Sequence, residues 1–142
     1  MAYRANGTVV IAPVIRTTSG IGLEVDPIGL GAAPDQETIA GALAEALAQS
    51  DRIVAQPAQH EWKGFFQPFL NAAGVRSHKA FMGDAQRVSI RVVDGRLKLT
   101  PQRNLGSKEG FEPIPDQAQL HPAKDLNDAA AALLQLLSSP EA

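Results

Sequence analysis

The sequence predicts an α+β domain in which a mainly antiparallel sheet carries about three to four packed helices. Two runs rich in β-branched residues, at 7–16 and 87–103, are each followed by segments with a helical spacing of apolar residues. The predicted order is ββ-α-α-ββ-α, which lacks the regular strand–helix alternation of a parallel sheet. A chain of 142 residues, 44% of them hydrophobic and 20% charged, has the composition of a single globular domain covering 1–142.

The first strand signal is GTVVIAPVIR at 7–16, and a second extended run, IGLEVDPIGL, follows at 21–30. β-Branched residues favour strands, and Pro13 indicates an edge or a bulge because proline has no amide hydrogen to donate to a ladder. Turn-forming residues 18–20 separate the two runs, which could therefore pair as a hairpin.

A helical pattern of apolar residues runs from Ile39 to Leu47, and Asp35 can cap the first turn in front of it. These signals predict a helix at 36–49. The polar stretch at 50–62 is interrupted by a proline and is predicted to cross the surface as a connection.

Four aromatic residues lie close together at helical spacing: Trp62, Phe65, Phe66 and Phe69. Pro68 would remove a hydrogen bond from the middle of that pattern, so the helix is predicted to begin near Gln67 and to stop at Gly74. A short helix at 78–84 follows, capped by Ser77. The aromatic residues fit either core packing or an anchor for a protein partner.

The run at 87–103 is typical of a β-hairpin around Asp94-Gly95, a two-residue turn that strand twist favours. The register places Arg91 opposite Lys98, and the positions predicted to point outward are Arg87, Ser89, Arg91, Val93, Arg96, Lys98 and Thr100. Residues 87–103 carry a net charge of +4 in a chain of net charge −2, which leaves −6 for the rest. This basic surface could be a solvated face, an electrostatic contact with a protein or a nucleic-acid platform. The lack of outward aromatic rings weighs against the last.

Residues 104–125 are predicted to form a long loop after the hairpin, anchored by Phe111 and Ile114. Asp125 can cap the last helix, which is predicted over 126–138 and carries one stripe of apolar residues. The chain has no internal repeat and no low-complexity tract.

Familiar catalytic and metal-binding patterns are missing from the sequence. Without cysteine the chain can form no disulfide, thiolate zinc site or cysteine nucleophile, and a reducing cytoplasm fits best. The histidines, His60, His78 and His121, are far apart, and no H-E-x-x-H, G-x-S-x-G or complete phosphate-binding glycine motif is present. We expect no catalytic residue, no metal or cofactor and no small-molecule substrate. The chain starts without a signal-peptide pattern, and the apolar run from Val9 to Ile15 is too short to span a membrane.

The segment from Asn71 to Pro115 resembles the immunity proteins of bacterial contact-dependent growth inhibition systems. The resemblance rests on three short motifs: Ala73-Gly74-Val75 with Ser77, Thr100-Pro101 with Arg103, and Gly110-Phe111-Glu112-Pro113-Ile114-Pro115 ahead of the last helix. The N-terminal half is similar more loosely, through its strand, its Asp26-Pro27 pair and its helix. His78 departs from the family pattern, in which an aromatic residue follows the serine.

The resemblance implies a non-catalytic antidote that binds and neutralises the C-terminal domain of a cognate toxin, often a nuclease, in the cytoplasm of the producing cell. Such a complex is a heterodimer and involves no membrane and no nucleic acid. The candidate toxin contacts are four acidic and four basic residues: Asp84, Glu109, Glu112, Asp116, Arg87, Arg91, Arg96 and Lys98. The alternative is a small nucleic-acid-binding module that uses the basic hairpin face at 87–103.

Overall fold

The structure, a computed structural model, describes residues 1–138, which form two β-sheets and four α-helices. The strands are β1 (Ala2–Ala5), β2 (Thr8–Ile11), β3 (Val14–Thr17), β4 (Gly22–Glu24), β5 (Ile28–Gly29), β6 (Ile53–Val54), β7 (Gln86–Val93), β8 (Arg96–Asn104), β9 (Phe111–Pro113) and β10 (Gln119–Pro122). The helices are α1 (Gln36–Gln49), α2 (Gln67–Ala73), α3 (His78–Met82) and α4 (Leu126–Ser138), with short 3-10 helices at Gln59–Gly64 and Pro115–Gln117. The predicted α+β class with a mainly antiparallel sheet is confirmed.

The larger sheet has the strand order β10-β8-β7-β1-β2-β5, and β9 also pairs with β8. Its centre is the β7–β8 hairpin, in which Arg91 lies opposite Lys98 as predicted. Asp94 and Gly95 close the hairpin with φ angles of 50° and 75°. Both central residues of this turn type need a positive φ, which explains why an Asp-Gly pair occupies it.

The predicted strand at 7–16 is divided at Ala12-Pro13 into β2 and β3, which belong to different sheets. The chain therefore bends where Pro13 predicted an irregularity. β3 pairs with β4 in the expected antiparallel hairpin, and it also pairs in parallel with β6. The smaller sheet thus has the order β4-β3-β6 and uses the segment at 53–54 that the sequence had placed in a connection.

Two apolar cores lie on opposite faces of the larger sheet. On one face, α1 and α4 pack through side chains such as Leu43 and Leu133 against Leu97 and Leu99, all of which are buried. On the other face, the buried residues of α2 and α3 pack around Tyr3 of β1. Strand alternation explains this division, because successive side chains point to opposite sides of a sheet.

The local helix signals predicted the helix ends well. The Asp35 carboxylate accepts a hydrogen bond from the Thr38 amide at 2.7 Å, and the Thr38 side chain together with this amide holds the pKa of Asp35 below its ordinary value. α2 ends at Gly74 with a φ of 73°, and Ser77 accepts a hydrogen bond from the amide of Ala80 at the start of α3. α1, α2 and α3 therefore each begin or end where a side chain or a left-handed residue satisfies terminal groups.

The prediction of a long loop at 104–125 is wrong, because this segment contains β9, a 3-10 helix and β10. One edge of the nine-residue β8 pairs with β7, and its other edge is free for further strands. Residues 104–125 supply two strands that pair with this second edge. β10 pairs with the first half of β8 and β9 with its end. The backbone groups of β8 thereby find partners, although the proline-rich partner strands have little β propensity of their own.

Candidate partner-binding surface

The outward side of the hairpin carries three exposed cations, Arg91, Arg96 and Lys98. Arg91 lies directly opposite Lys98, and Arg96 lies opposite Val93 beside the turn. Within residues 1–138, none of the three cationic side chains takes part in an ion pair or a side-chain hydrogen bond. Like charges placed directly opposite each other destabilise a strand pair, so an anionic partner would stabilise this arrangement.

Apolar side chains flank these cations on both sides. On β10, Leu120 lies opposite Lys98 and is 51% exposed, and on β7 Val93 is 39% exposed. We call the surface formed by Arg91, Val93, Arg96, Lys98 and Leu120 the basic face. Cations beside exposed aliphatic groups are suited to contact with a protein, whereas a single-strand nucleic-acid platform would also present aromatic rings.

A cleft of about 520 Å³ adjoins the basic face and shares Arg91 with it. The pairing of β1 with β7 starts at Ala2 opposite Val88, so within the described residues the part of β7 after Val88 has no strand beside it on that edge. This gap beside β7 forms the cleft. Its walls combine apolar side chains, such as Val14 and Leu43, with a second exposed arginine, Arg16. The cleft therefore continues both the positive charge and the apolar character of the basic face.

Arg87, also predicted as an outward cation, has a different environment because it is half-buried and bound on several sides. Its guanidinium lies 3.9 Å from Glu24, donates to the Tyr3 hydroxyl at 3.5 Å and donates through Nε to Gln102. The Arg87 guanidinium carbon also lies 4.4 Å from the centre of the Phe111 ring. Because Glu24 belongs to the smaller sheet, Arg87 helps to join the two sheets.

Tyr3 forms the other half of this connection. Its hydroxyl donates to Glu24 at 2.5 Å, and the edges of neighbouring rings from Phe69, Phe81 and Phe111 meet the tyrosine ring at centroid distances of 5.4 to 6.0 Å. Burial, with a smaller effect from the charge of Glu24, raises the pKa of Tyr3 far above its ordinary value. Phe111 serves as the anchor that the sequence predicted, and it fixes the segment that carries β9.

The four acidic candidates lie on four separate segments of the described chain. Glu112 on β9 forms an ion pair with Arg103 at 3.7 Å, and both side chains are 56% exposed. Asp84, between α3 and β7, accepts a hydrogen bond from the Asn6 amide at 2.9 Å. Glu109 and Asp116 are exposed and have no partner within residues 1–138. All four are exposed and therefore remain accessible to a partner.

The aromatic cluster is divided between the core and the surface. Phe69 is 2% exposed, and Phe66 stacks on it with ring centres 5.0 Å apart. Trp62 is 38% exposed and lies beside Phe65, with ring centres 5.2 Å apart. Core packing is thus observed for Phe66 and Phe69, whereas Trp62 is exposed and the anchor for a partner stays a prediction. The 3-10 helix before α2 produces this division, because it breaks the continuous α-helical stripe.

The histidines lie in three different environments. His60 is exposed in the first 3-10 helix, the His78 ring contacts Phe66 edge-on, and His121 shares a hydrogen bond with Gln119. Among residues 1–138, no group of three or more histidine, aspartate and glutamate side chains could hold a metal ion. The same part of the chain contains no helix of the length and apolar character needed to cross a membrane.

The basic face and its cleft define a domain whose exterior is suited to binding another macromolecule. Residues 15–138 match the CdiI family, described as CDI immunity protein, and the chain belongs to this family of toxin inhibitors from contact-dependent growth inhibition systems. The family resemblance carried by the motifs at 71–115 is thereby confirmed. The match runs from within β3 to the end of α4 and hence includes the whole basic face.

A solved structure of a protein of unknown function from Neisseria meningitidis has a similar fold. The TM-score is 0.75 at 16% sequence identity, and the similarity covers 96% of this chain and 90% of that one. The likeness at this identity concerns the fold alone. No protein with a curated function matches the chain.

Proposed function

We propose that this immunity protein forms a one-to-one complex with the C-terminal domain of its cognate toxin in the cytoplasm of the producing cell and blocks the toxin without catalysis. The observation that carries the proposal is the basic face, where three exposed cations lack partners within residues 1–138. Arg91, Arg96 and Lys98 are the proposed contacts for acidic groups of the toxin. Paired charges of this kind steer association and fix the orientation of the two partners.

We further propose that the toxin is a nuclease. A nuclease that grips phosphates is basic around its active site, and the residues outside 87–103 carry a net charge of −6. Asp84, Glu109, Glu112 and Asp116 are the proposed contacts for that basic region. Arg87 would act indirectly, since its guanidinium holds Glu24 and Gln102 within the domain.

We expect a toxin domain to be encoded beside this chain, and the proposal is tested with that domain and a double charge reversal, Arg91→Glu with Lys98→Glu. We expect the natural chain to bind and to protect cells that express the toxin domain, and the double variant to bind at least about tenfold more weakly. The control is Arg76→Glu with Lys79→Glu, which makes the same charge change at an exposed arginine and an exposed lysine of the segment that carries α3, away from the basic face. Undiminished binding by the Arg91 and Lys98 variant would contradict a contact at this face.

The nucleic-acid alternative is tested with the same variants. If the basic face bound phosphates, single-stranded RNA would bind to the natural chain with an affinity that falls steeply with salt, by a log–log slope of about −0.7 for each phosphate neutralised. The Arg91 and Lys98 reversal would then lose RNA binding. We expect the natural chain to show no measurable RNA binding at low salt. RNA binding that is strong, weakens with salt and is lost in the Arg91 and Lys98 reversal would favour the nucleic-acid alternative.

A further inference from the structure

A second pocket, of about 500 Å³, lies between the β4–β5 connection and the segment that enters α2. Its lining combines apolar walls with carboxylates and includes Pro27, Phe65, Phe69, Glu24, Asp26 and Glu61. The pocket lies on the α2 side of the larger sheet, whereas α1 and α4 cover the opposite face. None of the acidic residues predicted as toxin contacts borders it, so it is a separate feature of the surface.

The three carboxylates differ in how far they are already bound. Glu24 is held by Tyr3 and Arg87 from within the domain. Asp26 uses one oxygen for an exposed ion pair with Arg52 at 3.2 Å, and its side chain is 67% exposed. Glu61 uses one oxygen to accept the amide of Ala58 at 2.9 Å. Within the described chain, Asp26 and Glu61 each keep a second carboxylate oxygen without a partner.

Aromatic side chains extend the pocket toward the solvent. Phe65 lines the pocket, and its ring packs against the ring of the 38%-exposed Trp62. A cation is attracted to the face of an aromatic ring, and the methylene stem of a long cationic side chain packs well on apolar walls. Carboxylate oxygens beside such walls bind the charged end through charge-assisted hydrogen bonds.

We propose that this pocket receives a lysine or arginine side chain of the toxin, an inference that rests on the proposed function and adds a contact to it. The stem of the cationic side chain lies along Phe65 and Pro27, and its charged end meets the unpartnered oxygens of Asp26 and Glu61. The basic surface expected of a nuclease supplies such a side chain. The immunity protein would then hold its toxin by two contacts of opposite sign, the basic face and this acidic aromatic pocket.

The test measures the affinity of the toxin domain encoded beside this chain for Asp26→Asn combined with Glu61→Gln. Both changes keep an oxygen that accepts hydrogen bonds, and asparagine tolerates the φ of 46° at position 26. The control, Glu37→Gln with Glu45→Gln, removes the same charge from the exposed side of α1 across the sheet. We expect the pocket variant to bind about tenfold more weakly and the control within about twofold of the natural chain.

A second variant, Trp62→Leu, tests the aromatic surface beside the pocket, where the Trp62 ring packs against the pocket-lining Phe65, and unfolding by urea shows whether each variant is still folded. We expect about a fivefold loss of affinity from Trp62→Leu, the scale of one exposed cation–π contact. Pocket variants that bind the toxin as tightly as the natural chain would overturn this inference and leave the proposed function standing. Failure of the natural chain itself to bind would instead overturn the proposed function and the pocket contact together.

Discussion

The hydrogen bond between Tyr3 and Glu24 connects the two sheets, and Tyr3→Phe removes that bond together with the long one that the hydroxyl accepts from Arg87 at 3.5 Å. The hydroxyl of Tyr3 donates to Glu24 at 2.5 Å, while the ring packs edge-on against Phe69, Phe81 and Phe111. Phenylalanine keeps the ring and its contacts, so the substitution opens almost no cavity. Glu24 would keep only its ion pair with Arg87 at 3.9 Å.

A hydrogen bond to a charged group contributes about 1.5–3 kcal/mol to the free energy of unfolding. Tyr3 is 2% exposed, so water cannot replace the lost bond from the ring side. We therefore expect Tyr3→Phe to lower the free energy of unfolding by about 2 kcal/mol, which for a chain of this length lowers the Tm by about 6 °C.

The assay is urea unfolding of the natural chain, Tyr3→Phe, Glu24→Gln and the double variant. In the Glu24→Gln background the tyrosine still donates, but to a neutral acceptor, so removing the hydroxyl should cost only about 1 kcal/mol. Tyr3→Phe should therefore lower the free energy of unfolding by about 1 kcal/mol more in the natural chain than in the Glu24→Gln background. A loss below about 0.5 kcal/mol from Tyr3→Phe alone would refute the view that this bond supports the contact between the sheets.

Three further predictions concern the core and the hairpin. Tyr3 is the only tyrosine in the chain and burial raises its pKa, so no tyrosinate absorbance should appear near pH 10 while the protein stays folded. The unfolded chain ionises this tyrosine above about pH 10, so stability should fall there by up to about 1.4 kcal/mol per pH unit, and a native titration near pH 10 would disprove the burial. Gly95→Ala should lower the free energy of unfolding by about 1–2 kcal/mol, because a residue with a Cβ disfavours the φ of 75°. The added Cβ would meet nothing within 4 Å, so this backbone strain is the whole effect. An unchanged urea midpoint would count against this prediction. Leu133→Ala should cost about 2–5 kcal/mol because Leu133 is fully buried between α4 and the sheet, and a loss below about 1 kcal/mol would show that the site collapses freely.

Local sequence signals were sufficient wherever one segment determines its own structure. Asp35 and the apolar spacing after it predicted α1 to the residue, and the Asp94-Gly95 turn fixed the register that sets Arg91 opposite Lys98. These features depend on hydrogen bonds and turn geometry within a few residues. The cations of the basic face follow from the same register and could be predicted without the structure, whereas Leu120 joins them on β10, which the sequence had placed in a loop.

Other elements depend on partners that are remote in sequence. The short strand β1 has alanine or arginine in three of its four positions and forms because β2 and β7 pair with it on both sides. Alternation placed Arg87 outward, but the Phe111 ring and Glu24 arrive from distant segments to cover it. The aromatic pocket joins residues 24–27 to residues 61–69, which no local pattern connects.

The central claim is that this chain neutralises a toxin by binding it, and a stoichiometric titration tests this claim most directly. The purified toxin domain encoded beside the chain is assayed for nuclease activity while the chain is added in steps, and the mass of the complex is measured by light scattering. We expect the activity to fall in proportion to the added chain and to vanish at one equivalent, in a complex with one copy of each protein. Full toxin activity at an excess of the chain, or complete loss at a small fraction of an equivalent, would contradict the account.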